Sequence, residues 1–219
     1  FFGAFIYKFA PLRPAQHLLV YAIGFMVCGC SSFQDTSGIF RQPGTTIGQE
    51  VWAEHVLPIQ IPNRGVTQIA VHTAYGKDLK RGPAILFIPG GGNISRFGAR
   101  SDNGVTSYAT PIDVTGSLMS VATEHGFLAM AWDKRSCKPS DDTRCLDADH
   151  QDVLEDGPRA LRHDLQAACE AIIAHPRFDG RLVLWGHGQA GQIALDHSCT
   201  AKAAAIVLAA PIPRRVDRV

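Results

Sequence analysis

An apolar strand, Arg181 to Trp185, runs into Gly186-His187-Gly188-Gln189-Ala190-Gly191 and then into a helix that should extend to about Cys199. A strand that turns sharply into a helix lifts one side chain to the crest of the turn. In the pattern G-x-S-x-G that side chain is a nucleophilic serine. Here the crest position is Gly188, and the last glycine of the pattern is Ala190. The turn suits nucleophilic catalysis, but the oxygen that would attack is absent. The same stretch also satisfies G-x-G-x-x-G, a dinucleotide fingerprint. That reading needs an acidic residue at the end of the next strand, roughly 20 residues on, to hold a ribose. The next strand ends Ala209-Ala210-Pro211, so the fingerprint is incomplete, and no Lys-Ser/Thr pair makes the turn a P-loop. No cofactor is expected.

The chain has 219 residues, of which 46% are hydrophobic and 19% charged, with a formal net charge of +1. That length and composition suit one globular domain with a sizeable core. No basic stripe along the sequence points to nucleic acid, and no run of like charge points to an acidic partner. No internal repeat or long low-complexity segment is present.

The first thirty residues read as an export signal. Lys8 and Arg13 form a positive flank, and Leu18 to Val27 is an apolar stretch too short to span a bilayer. Val27-Cys28-Gly29-Cys30-Ser31-Ser32 resembles a bacterial lipobox, with Cys30 as the lipidated residue. One acyl chain holds a protein to a membrane weakly, so stable anchoring requires several. The expected organisation is a signal over 1–30, a Ser/Gly/Thr/Gln/Pro-rich tether over 31–50 and a folded domain over 51–219. The expected location is the outside of a bacterial membrane, on a lipid anchor or secreted. Cys137 and Cys145 bracket a short polar loop and could close a disulfide in an oxidising compartment. Cys169 and Cys199 fall in expected helices and read as buried thiols.

Charged residues near the turns have structural explanations. Asp133 beside Arg135 should fix its own turn through local hydrogen bonds. His187 reads as a packing and hydrogen-bonding residue. Asp141, Asp142, Asp147, Asp149, Asp152 and His150 form an acidic cluster without EF-hand spacing, so a solvated loop is expected and no metal is assigned. Arg96, Arg100 and Asp102 follow a glycine loop and read as surface charge.

The elements that must position the turn can be read from periodicity. Val66 to Thr73 alternates and suits an early strand. Pro83 to Pro89, Phe127 to Trp132 and Ala203 to Ala210 are continuous apolar runs, as expected for strands covered on both faces. Gly116 to His125 is helix-like. Asp156 to His175 is amphipathic, with Leu161, Leu165, Ala168, Cys169, Ile172 and Ile173 on one face. Strand alternating with helix predicts an α/β domain: a mostly parallel central sheet with helices on both faces.

Over roughly residues 66–213 this order resembles the α/β-hydrolase superfamily. The run IPGGGN (88–93) is similar to the loop that supplies an oxyanion-hole amide, with Pro89 where many members carry His. WDKRSCKPS (132–140) is similar to the D-x-R-G-x-G-x-S turn of the proline-iminopeptidase-like branch, with Ser136 and Lys138 in place of glycines. LWGHGQAGQIAL (184–195) is similar to the nucleophile elbow. The resemblance implies ester or peptide hydrolysis through an acyl-enzyme, with oxyanion-hole amides from Gln189 and from Gly91 or Gly92. The family's triad runs Ser, then Asp/Glu, then His. No histidine follows His197, and Asp217 is too near the last residue to be placed. As written, the chain is expected to be inactive and to represent the first part of the domain, leaving the edge of strand Ala203–Ala210 open. The alternative is a catalytically inactive module that binds a small molecule or protein in the same pocket.

Overall fold

The computed structural model describes residues 5–8, 46–47, 50–61, 65–90, 114–135, 150–195 and 198–209. Eight strands among them form one mixed sheet: β1 (Phe5–Lys8), β2 (Thr46–Ile47), β3 (Glu50–Ile61), β4 (Gly65–Gly76), β5 (Gly82–Ile88), β6 (Leu128–Trp132), β7 (Phe178–His187) and β8 (Ala203–Ala209). The helices are α1 (Val114–Glu124), α2 (His150–Ala174) and α3 (Gln189–Leu195), followed by a 3-10 turn at Ser198–Lys202. The spatial order is β1-β8-β7-β5-β6-β4-β3-β2. The central strands β8, β7, β5 and β6 are parallel, and the flanking pairs are antiparallel. The fold is therefore α/β around a parallel centre, as the strand–helix alternation predicts.

Burial explains the arrangement. All residues of β5, β6 and β8 are buried, which accounts for their unbroken apolar sequences. Leu118, Met119 and Ala122 of α1 pack on one face against Ile85, Phe87 and Val207. On the other face, Leu161, Leu165 and Ile172 of α2, with Ile193 of α3, pack against Leu86, Met130 and Leu184. Each large side chain so buried contributes about 1.5–3 kcal/mol. The parallel strands thus have a lower end, where they begin, and an upper end, where β5, β6, β7 and β8 finish.

Several expectations need correction. Within the segment read as a tether, Thr46–Ile47 pair with Val51 and Glu50, and β3 follows from Glu50. The sequence concealed β3 because Pro58 interrupts it and because its polar residues find cross-strand partners, as Glu54 does with His72 at 3.0 Å. Helix α2 starts at His150 rather than Asp156 and continues through Gly157-Pro158. The edge of β8 is covered, because Phe5–Lys8 pairs along Ala205–Leu208. Cys169 and Cys199 are not thiols: they form a disulfide joining α2 to the 3-10 turn. Proximity of the two elements could not be read from helical periodicity.

Candidate functional site

Strand β7 carries Trp185, Gly186 and His187 up to the crest, and α3 leaves it at Gln189. Gly188 has φ +58, the left-handed conformation expected of a nucleophile turn. A Cβ at Gly188 would meet no described atom within 4 Å, so the crest has room for a side chain. The turn is held by its own backbone. The Gly188 N–H donates to Ala209 O at 3.0 Å, and Gly188 O accepts from Gly191 N–H at 3.2 Å. Gly186 answers a different need, because a Cβ there would lie 2.7 Å from the carbonyl carbon and oxygen of Ala190. Its bare Cα lets α3 pack directly on the strand.

The neighbouring strand brings the glycine loop to the same place. Ile88 pairs with Gly186, and a Cβ on Gly90 would lie 3.4 Å from His187 O. The chain leaving β5 therefore starts against the crest of the β7–α3 turn. Gly91 and Gly92 lie outside the described residues, as do Cys30, Cys137 and Cys145, Arg96, Arg100 and Asp102, and Asp141 to Asp149. The described residues place Gly188 and Gln189 at the upper end of the sheet, where open α/β sheets bind ligands.

His187 sits at the exposed edge, with its ring stacked on Trp185 at a centroid distance of 6.5 Å. Trp185 in turn packs against Phe87 at 5.4 Å. Partial desolvation of the ring lowers the imidazole pKa of His187 from its ordinary value.

The turn after β6 differs from the local arrangement expected. Asp133 N–H donates to Ala70 O at 2.9 Å. Arg135 does not tie its own turn but reaches across to α2: its Nε and Nη2 donate to Asp164 Oδ1 at 2.9 and 2.6 Å, and Nη2 also donates to Ala160 O at 3.1 Å. Arg135 is 4% exposed and Asp164 0%. Burial raises the carboxyl pKa of Asp164, and the hydrogen bonds and charge of Arg135 oppose that rise. Sequence reasoning missed Asp164, which lies 29 residues from Arg135. It also missed Lys134, which is buried just after β6 at the upper end of the sheet. Desolvation lowers its ammonium from 10.5 to about 8. The signal available was a charged triplet directly after a fully apolar strand.

No family model matches the chain, and a search of curated proteins finds no match. Among solved structures it is similar to a hypothetical protein of Pseudomonas aeruginosa, at 15% identity and TM-score 0.46, covering 75% of this chain and 44% of that one. It is also similar to brefeldin A esterase, a bacterial homologue of human hormone-sensitive lipase, at 11% identity and TM-score 0.41, covering 86% and 45%. A cold-adapted esterase from an Arctic intertidal metagenomic library is similar at 15% identity and TM-score 0.43, covering 65% and 53%. The chain spans about half the length of these structures.

Proposed function

We propose that this is an exported, lipid-anchored protein of the α/β-hydrolase family whose frame serves ester or peptide hydrolysis through an acyl-enzyme, and that with glycine at 188 it does not turn over. The observation that carries the reading is the left-handed Gly188, at φ +58, on a strand–turn–helix with open space at its Cβ. An ordinary loop glycine has no need of Gly186 packed on Ala190 behind it, or of the end of β5 set against it. The family's other parts would be amides of Gln189 and of Gly91 or Gly92 as the oxyanion hole, with ester or peptide substrates bound above the sheet. In serine hydrolases, loss of the nucleophile costs about 10⁶ in turnover, roughly 8 kcal/mol of barrier. The similarity of the run at 132–140 to the proline-iminopeptidase-like turn supports that branch of the family.

A second reading, a binding module on the same frame, is favoured by the backbone of the turn. Both polar backbone groups of Gly188 are bonded within the fold, so the turn is complete without a side chain.

Two measurements test these readings. Sequencing the source DNA through codon 188 to the stop codon shows whether an Asp and a His follow in the acid and base positions. Gly188→Ser in the resulting full-length protein is then assayed on p-nitrophenyl esters. The hydrolase reading expects a gain of several orders of magnitude in turnover. A folded variant with no gain, or a gene with no downstream histidine, leaves the binding module standing.

A further inference from the structure

The lower end of the sheet collects positive charge from segments far apart in sequence. The β4–β5 turn contributes Lys77, Lys80 and Arg81, all exposed. Arg177 joins them from the α2–β7 turn, stacked 4.5 Å over the ring of Tyr75 with its Nη1 donating to Leu79 O. Lys202, also exposed, stands at the foot of β8. With strands about 4.8 Å apart, the row from β8 to β4 is roughly 19 Å wide. The carboxylates at this end oppose it only in part. Asp179 is paired with Arg181 at 2.5 Å. Glu50 is buried and accepts from Trp52, Ser120 and Thr123. Asp78, Glu124 and Glu170 remain exposed, and Glu170 accepts from Gln166. His175 registers the local field: its imidazole is lowered by burial first, then by the charges of Arg177 and His55.

The course of the chain supplies a second, independent observation. Residues 9–45 contain the apolar stretch Leu18 to Val27 and Cys30. On one side they leave β1 at Lys8, which pairs with Ala205 near the foot of β8. On the other they return at Thr46–Ile47, beside Val51 and Glu50 at the foot of β3. In the uncleaved chain both connections of the apolar segment are made at the end of the sheet that carries the cations; after cleavage before Cys30 only the one at Thr46 remains.

We propose that the lower end of the sheet, through Lys77, Lys80, Arg81, Arg177 and Lys202, docks on an anionic lipid surface, with the upper end facing away from it. The inference rests on the membrane-proximal part of the function proposed above. Cationic side chains against an anionic bilayer attract over about a Debye length, so the contact is steered by charge and weakened by salt. Whether the protein is held by a lipidated Cys30 or by the apolar stretch, the chain enters the fold at Thr46, on the same end as these cations. Docked this way, the turn at Gly188 faces solvent rather than headgroups.

Co-sedimentation of the full chain with vesicles tests this. Phosphatidylcholine vesicles are compared with vesicles that also contain phosphatidylglycerol, over a range of salt. The expected result is stronger binding to the anionic vesicles, lost as salt rises. Each neutralised cation should cost about fivefold in affinity, so Lys77→Gln with Lys80→Gln and Arg81→Gln should cost about a hundredfold. The triple variant must keep its unfolding midpoint; Lys202→Gln alone, at a site with no part in the β4–β5 turn, provides a second measure. Cys30→Ala should retain the charge-dependent binding, and this separates docking from the lipid anchor. Equal binding to neutral and anionic vesicles, or no effect of the variants, would overturn the proposal. So would displacement by inorganic phosphate at matched ionic strength, which assigns the cluster to a free anion.

Discussion

Two glycines two residues apart carry opposite burdens. At Gly186 the problem is space, because a methyl group would meet the Ala190 backbone at 2.7 Å, and a helix backbone cannot move aside cheaply. At Gly188 space is free and the problem is conformation, because φ +58 is costly for a residue with a Cβ. Gly186→Ala is therefore expected to lose about 1–3 kcal/mol or more through overpacking. Gly188→Ser should lose about 1–2 kcal/mol through backbone strain alone. Urea unfolding of the two variants checks the order. A Gly188→Ser protein less stable than Gly186→Ala would mean that the turn is shaped by something other than the packing of α3 on β7. Position 188 was legible in the sequence because small residues at fixed offsets between a strand and a helix have few other uses. Asp164 was not legible, because nothing local in α2 distinguishes it from a solvated helix carboxylate.

At the scale of elements, the disulfide between Cys169 and Cys199 does what periodicity could not foretell. It fastens the buried face of α2 to the turn that leads into β8, across a separation of 30 residues. Closing a loop of that length restricts the unfolded chain by about 3–4 kcal/mol. The Cys169→Ala, Cys199→Ala pair should lower stability by that order, and a reducing agent should lower the unfolding midpoint of the native chain but not of the variant. An unchanged midpoint on reduction would show that the bridge is not formed in solution. Most of the remaining elements were readable. The runs at 83–89 and 127–132 are strands because only a position covered on both faces accepts unbroken apolar residues. The flanking strands were harder: β3 carries Pro58 and several polar residues, and β1 has only four residues.

At the scale of the whole molecule, a half-buried His175 and a buried Lys134 each contribute to the dependence of stability on pH. His175 is held below 6.5 in the folded protein, so the unfolded chain binds the extra proton first as pH falls. Stability should thus be full above 6.5 and decline as pH drops through the lower folded value. Lys134 gives the same sign in another window. With a folded value of about 8 against 10.5 unfolded, the stability its neutral form contributes is present above 10.5 and is lost as pH falls to 8. Unfolding free energies across both windows should therefore rise with pH in each, and Lys134→Met should flatten the alkaline rise. A curve that falls between pH 8 and 10.5 would mean that Lys134 stays charged in the fold. The same assembly places the cations of three separate segments on one end, although the sequence contains no basic stripe.

The sequence by itself determined the alternation of strands and helices, the parallel centre and the absence of a side chain at the crest of the β7–α3 turn. These follow from local periodicity and from residue identity at one position. Only the tertiary structure decided the left-handed conformation of Gly188, the reach of Arg135 to Asp164, the Cys169–Cys199 bridge, the burial of Lys134 and the cationic lower end. Each depends on which residues distant in sequence the sheet order brings together. That order is fixed by the packing of both faces at once, and no window of sequence contains it.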